Sequence, residues 1–110
     1  MTPAHPSLSE GRWFGFSLCT QMANIGSEVE RAISWGRKGN KNYQQLAFYR
    51  ALELLDLTLR DPRHRHRLRE LARVREVLAD YFAFDNEYRS TEEQWKKYFH
   101  SFTYAARMGR

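Results

Sequence analysis

The chain predicts an all-α protein, an up-down-up-down bundle of four helices. Three observations carry that expectation. Apolar residues recur every three or four positions in four separate blocks, the spacing of one helix face. Helix breakers fall between the blocks and almost nowhere inside them. The alternating pattern of a half-buried strand is absent. The breaks are Gly36 and Gly39 with Asn40, then Asp61-Pro62, then Phe84-Asp-Asn-Glu-Tyr-Arg89. Connections this short favour antiparallel neighbours.

In the first block Leu18, Met22, Ile25, Val29 and Ala32 form the stripe. Gln21, Asn24, Glu28 and Arg31 mark the opposite face, and Ala23 and Gly26 are small enough to admit a neighbouring helix. The helix is expected to stop near Gly36, because glycine supports the left-handed conformation that ends helices. In the second block the stripe is Phe48, Leu52, Leu55 and Leu59, flanked by Ala47, Ala51 and Leu54. Asp56 stands four residues before Arg60, the favourable order for a helical ion pair, and Pro62 enforces the stop. The third block carries Leu68, Leu71, Val74, Leu78 and Tyr81. The fourth opens with Ser90-Thr-Glu-Glu93, which reads as a capping box, and continues with Trp95, Phe99, Phe102 and Ala106. Arg107 and Arg110 close it, where cations suit the helix dipole.

A length of 110 residues implies one domain. With 42% hydrophobic and 15% aromatic residues, the chain can bury a core unaided and does not read as disordered. Residues 1–11, which open Met1-Thr-Pro-Ala-His-Pro6, read as a loose tail, and 12–110 as the domain. Cys19 is the only cysteine, so no disulfide can form within the chain and a reducing, cytoplasmic setting is expected. No apolar run is long enough for a signal peptide or a membrane span, and no internal repeat is visible.

Charge is the clearest functional signal. Residues 60–75 hold Arg60, Arg63, Arg65, Arg67, Arg69, Arg73 and Arg75 against Asp61 and Glu70, a net of +5, which equals the net charge of the whole chain. A local basic surface is the footprint of an anionic partner, and guanidinium forks suit phosphate oxygens. The plainer alternative is a solvated connector whose arginines pair with nearby acids. No stacking aromatics interleave the run, which weighs against single-stranded RNA there. His64 and His66 form a His-x-His, but the three surrounding arginines would repel a divalent cation. They read as partly charged histidines that add to the basic surface, and no metal is expected. Arg75 falls on the shoulder of its apolar stripe. Either its methylenes pack while its head reaches out, or it leans inward onto a carboxylate such as Glu28 or Glu53.

The fourth helix is rich in aromatics. Tyr98 and Tyr104, with Leu57 of the second, could form an exposed patch for a partner or a second copy. Catalytic patterns are thin. No serine sits in a nucleophile elbow, and Cys19 reads as an inert small hydrophobe beside an apolar face. Gly36-Arg-Lys-Gly39 lacks the strand and the Gly-Lys-Ser ending of a phosphate loop. No cofactor is implied.

The third helix, Leu71-Ala-Arg-Val-Arg-Glu-Val-Leu-Ala-Asp80-Tyr-Phe82, resembles the signature helix of the HEPN superfamily of small helical bundles. Ala47-Phe-Tyr-Arg-Ala-Leu-Glu-Leu-Leu55 resembles that family's preceding helix, and Gly39-Asn-Lys-Asn-Tyr43 the turn before it. The family pattern is an arginine, four to six residues, then a histidine. Arg75 matches the arginine, but Asp80 stands at the histidine position. In RNA-cleaving members the pair is implicated in catalysis, and an aspartate cannot replace imidazole as a near-neutral acid or base. The resemblance therefore implies the non-cleaving branch, whose members resemble binding subunits of small nucleotidyltransferases or dimeric interaction modules. Trp35, Gly39, Ala51 and Pro62 lie near the spacing of a tetratricopeptide unit, but nothing repeats at the required period.

The expectation is thus a non-enzymatic, HEPN-like interaction module. It would form a homodimer through Leu57, Tyr98 and Tyr104, with a possible protein partner and no membrane. The alternative is nucleic-acid or nucleotide binding through the seven arginines of residues 60–75, and a metal-independent ribonuclease ranks third.

Overall fold

The computed structural model describes residues 10–109, so the greater part of the expected 1–11 tail lies outside the described residues. The fold is all-helical, with no strand among the described residues. A short helix α1 (Glu10–Trp13) precedes four long ones: α2 (Leu18–Arg37), α3 (Lys41–Arg60), α4 (Leu68–Ala83) and α5 (Glu92–Met108). A 3-10 turn, Pro62–Arg67, joins α3 to α4. Among the described residues no helix is long and apolar enough to cross a membrane.

Helices α2, α3 and α5 each start where a side chain satisfies a free amide of the first turn, whereas α4 follows the 3-10 turn with no side-chain cap. Ser17 accepts from the Thr20 amide and Asn40 from the Tyr43 amide. α2 runs on through Gly36 to Arg37, and it is Gly39, at φ +77°, that takes the left-handed turn. A Cβ at Gly36 would meet only the movable end of the Gln44 side chain. At α5 the capping box is Thr91 with Gln94, one residue later than Ser90 with Glu93. The shift has a local cause. Ser90 is already held by Asn86, whose side chain accepts from the Ser90 amide and donates to its carbonyl. Asp80 fixes the same loop, its buried carboxylate accepting from the amides of Glu87 and Tyr88 at 2.9 and 3.0 Å.

Side-chain contacts pair the helices. Gln21 near the start of α2 meets Asp61 just beyond the end of α3. Phe48 of α3 lies 5.2 Å from Phe82 of α4, while Asp56 meets Arg75. Tyr98 of α5 reaches Glu70 of α4, and Arg37 at the end of α2 pairs with Glu92 at the start of α5. The core holds Met22, Ile25, Val29 and Ala32 as expected, with Leu71, Val74, Leu78, Trp95, Phe99 and Phe102. The buried edge of α3 is rotated from the expected stripe: Ala47, Phe48, Ala51, Leu54 and Leu55 are buried, Leu52 and Leu59 only partly. Leu68 and Tyr81 likewise fall outside the core proper, and Leu68 is exposed. Trp13, which no stripe pointed to, is wholly buried, and its indole donates to Thr58 at 2.9 Å.

Gly26 lets α5 pack tightly against α2. A Cβ there would sit 2.6 Å from the Cβ of Phe99. Glycine to alanine inside an exposed helix ordinarily stabilises by about 1 kcal/mol. Here overpacking against an immobile Cβ wins, and Gly26→Ala is expected to cost about 1–3 kcal/mol by urea denaturation. Phe99→Ala keeps that Cβ, so in its background the same change should retain much of its cost.

Candidate anion-binding surface

The 3-10 turn sorts the basic run into inward and outward groups. Asp61 caps the turn, accepting from the Arg63 amide at 3.0 Å. The Arg63 guanidinium folds back on the same carboxylate at 2.6–3.2 Å and donates to the Phe16 carbonyl at 2.6 Å. Asp61 is 3% exposed, and this pairing holds its carboxyl well below the usual carboxylate range, against the opposing effect of burial. Gln21, wholly buried, donates from its amide to the Trp13 carbonyl at 2.9 Å and to Asp61 at 3.2 Å. Its carbonyl oxygen is left to accept from His64 Nε2 at 2.8 Å. Trp13, Gln21, Thr58, Asp61, Arg63 and His64 thus make one continuous polar cluster that ties α1, α2, α3 and the turn together.

His64 is therefore a buried member of this cluster, correcting the expectation that it adds to the basic surface. Burial pushes its imidazole below the ordinary histidine value; Asp61 opposes this, and Arg63, His66 and Arg67 add to it. The sign of the linkage follows. The unfolded chain takes up the proton more readily, so the contribution of neutral His64 is complete above about pH 6.5 and is lost as pH falls toward the folded value. The melting temperature should drop between about pH 7 and 5, and His64→Gln, which keeps an amide donor but cannot titrate, should flatten that window. An unchanged slope in the variant would assign the drop to other groups. His66 points outward and is exposed, so the two rings cannot share an ion. Among the described residues no three potential metal ligands converge.

The remaining arginines divide as sharply. Arg67 donates to Glu70 at 2.8–3.1 Å and lies 5.5 Å over the Phe102 ring. Arg75 pairs with Asp56 of α3 at 2.6 Å, which makes Asp56 its partner in place of Glu28 or Glu53. Arg73 lies 4.7 Å over the Tyr88 ring. Arg60, Arg65 and Arg69 are exposed, and their side chains make no hydrogen bond or ion pair among the described residues. Of the seven arginines expected to bind an anion, Arg63, Arg67 and Arg75 are thus occupied by acids, while Arg60, Arg65, Arg69 and Arg73 are not. An open trough of about 670 Å³ runs along α4 between His66, Arg69 and Arg73, with Glu70 and Glu76 on its wall.

The exposed patch expected from Leu57, Tyr98 and Tyr104 does not assemble. Leu57 packs partly buried against the core. Tyr98 lies between Phe99 and Phe102, with ring centroids at 5.1 and 5.3 Å, and its hydroxyl donates to Glu70 at 2.8 Å. Burial and that carboxylate raise the Tyr98 phenol well above its ordinary value. Glu70 shows the reverse balance: burial pushes its carboxyl up, but the hydrogen bonds from Arg67 and Tyr98 outweigh it, and the net shift is downward. Tyr104 alone stays exposed.

A second basic region lies outside residues 60–75. Residues 31–52 contain Arg31, Arg37, Lys38, Lys41 and Arg50 and no acid at all. The signal was present, but it was hidden by cancellation against acids elsewhere in the chain.

No protein-family model, no curated protein and no solved structure matches the chain.

Proposed function

We propose that the chain is an up-down-up-down four-helix bundle that works as a binding module without chemistry of its own, and that its ligand is a nucleic acid held through Arg60, Arg65, Arg69 and Arg73. One observation carries the reading. The fold satisfies every acid in the basic run, Asp61 and Glu70, with arginines from that same run, and leaves four other arginines facing outward with no carboxylate of their own. Unpaired guanidinium groups repel one another, and phosphates relieve that repulsion while releasing condensed counterions.

The same geometry supports a non-catalytic role. Arg75 and Asp80, the positions that the HEPN-like pattern would join in catalysis, face different partners: Arg75 meets Asp56, and Asp80 holds two loop amides. The histidine beside an aspartate, His64, is buried beneath the surface and out of reach of a polymer.

The test is the binding of a fluorescent oligonucleotide followed across salt. Four contacts predict a slope of log affinity against log salt of about −2.8 for a single strand and about −3.6 for a duplex. Binding no tighter than that of an uncharged helical protein at low salt would overturn the reading.

A further inference from the structure

The second basic region forms a different kind of surface. Trp35 and Arg31 of α2 face Tyr43, Leu46 and Arg50 of α3 across a cleft of about 220 Å³. Small-molecule sites run to about 300–1,000 Å³, so this cleft has room for a single planar ring. Trp35 and Tyr43 meet edge to face, with centroids 4.8 Å apart and planes at 73°. Tyr43 and Leu46 are each about half exposed, at 50% and 49%. Lys38 sits 4.9 Å over the Trp35 ring. Arg31 and Arg50 line the cleft with these rings, Lys41 lies beyond Lys38 at the α2–α3 turn, and no acid occurs between residues 31 and 52. Arg31 is paired with the largely buried Glu28, while Lys41 and Arg50 form no ion pair among the described residues.

We infer that this cleft binds single-stranded nucleic acid by stacking a base on Trp35 and Tyr43 while Lys38, Lys41 and Arg50 follow the backbone phosphates. Stacking aromatics beside a positive groove are the combination that single-strand binding uses, and they are what the arginine surface of α4 lacks. Charge decides the occupant. A second copy of this chain would bring the same cations face to face. An acidic peptide would answer the charge, but it would leave the half-exposed Tyr43 ring without a planar partner. The inference rests on the reading above only for its class of ligand, since the cleft lies near the α2–α3 turn and the α4 arginines lie toward the other end of α3.

The experiment uses a fluorescein-labelled oligo(dT) of about 15 nucleotides, within the span of such sites, with a duplex of equal length and poly-glutamate as comparators. Trp13 and Trp95 are buried, so quenching of tryptophan emission on binding reports chiefly on Trp35. The oligo(dT) should quench, and the duplex should bind without quenching. Tyr43→Ala and Trp35→Leu should each weaken single-strand binding roughly 5- to 150-fold, the range for one lost base stack. Trp35→Phe keeps a ring and should bind within a few-fold of the native protein. Arg50→Ala should instead flatten the salt slope by about 0.7. If Tyr43→Ala and Trp35→Leu bind oligo(dT) as the native protein does, the cleft is not the site. A loss confined to Arg65→Ala and Arg69→Ala would then leave the α4 reading standing alone. Equal quenching and affinity with poly-glutamate would also overturn the inference, making the cleft a site for acidic peptides. No binding of any polymer would remove both readings.

Discussion

Asp61→Ala is expected to destabilise the fold by about 3 kcal/mol, the lower end of the range for breaking a buried ion pair. The lower end applies because Arg63, although bonded to Asp61, has 48% of its side chain in solvent, whereas the Asp61 side chain is 1% exposed. The cost has identifiable parts. The Arg63 amide loses its cap, the guanidinium loses its carboxylate, and the Gln21 amide loses one of its two acceptors. The guanidinium can turn to water, but the wholly buried Gln21 amide is left with a desolvated donor unmet, which is more costly than never having made the bond. Asp61→Asn keeps the cap and an acceptor but removes the charge, and should cost less, about 1–2 kcal/mol. Acid should act like the mutation. The Asp61 carboxyl is held below its ordinary range, so its contribution is present above about pH 4 and is lost as pH falls further. The His64 window lies higher, so two steps in stability against pH are expected, and Asp61→Ala should abolish the lower one. Urea denaturation at neutral and acid pH measures both. A loss under about 1 kcal/mol would place the pair among ordinary surface ion pairs.

This cluster also shows where sequence reading stops. The four long helices were legible because each carries a local apolar repeat, and repeats need no knowledge of tertiary partners. The face of α5 was read correctly on Trp95, Phe99 and Phe102, since bulky aromatics on a helix leave little choice of which side to bury. Polarity, the only local cue, points Gln21 and Glu28 outward. Both are buried, Gln21 because Trp13, Asp61 and His64 converge on it from other elements. The candidate site was legible in composition and illegible in detail. Seven arginines in one run predict a basic surface. Which of them remain available depends on Asp61, Glu70 and Asp56, and on a 3-10 turn that puts His64 inside and Arg65 and His66 outside. Tyr98 follows the same logic: its place on the helix suggested exposure, and Glu70 of α4 draws its hydroxyl inward.

The sorting of the arginines gives the second large effect. If Arg60, Arg65, Arg69 and Arg73 each meet a phosphate, raising salt from about 50 to about 200 mM should weaken binding roughly 50-fold for a single strand and roughly 150-fold for a duplex. Arg65→Ala with Arg69→Ala removes two contacts and should flatten the slope by about 1.4 for a single strand and about 1.8 for a duplex. Stability should change by less than about 0.5 kcal/mol, because both side chains are solvated and unpaired. Arg63→Ala is the decisive control. It removes the same charge from the same turn, so a mechanism that depended only on the density of positive charge would treat it like Arg65→Ala. The structure treats the two differently. Arg63 is neutralised by Asp61 and bonded to the Phe16 carbonyl, so its loss should lower stability, and at temperatures where the variant is folded it should leave the salt slope nearly unchanged. If Arg63→Ala flattens the slope as much as Arg65→Ala does, without loss of stability, the division into inward and outward arginines is wrong, and binding follows net charge alone.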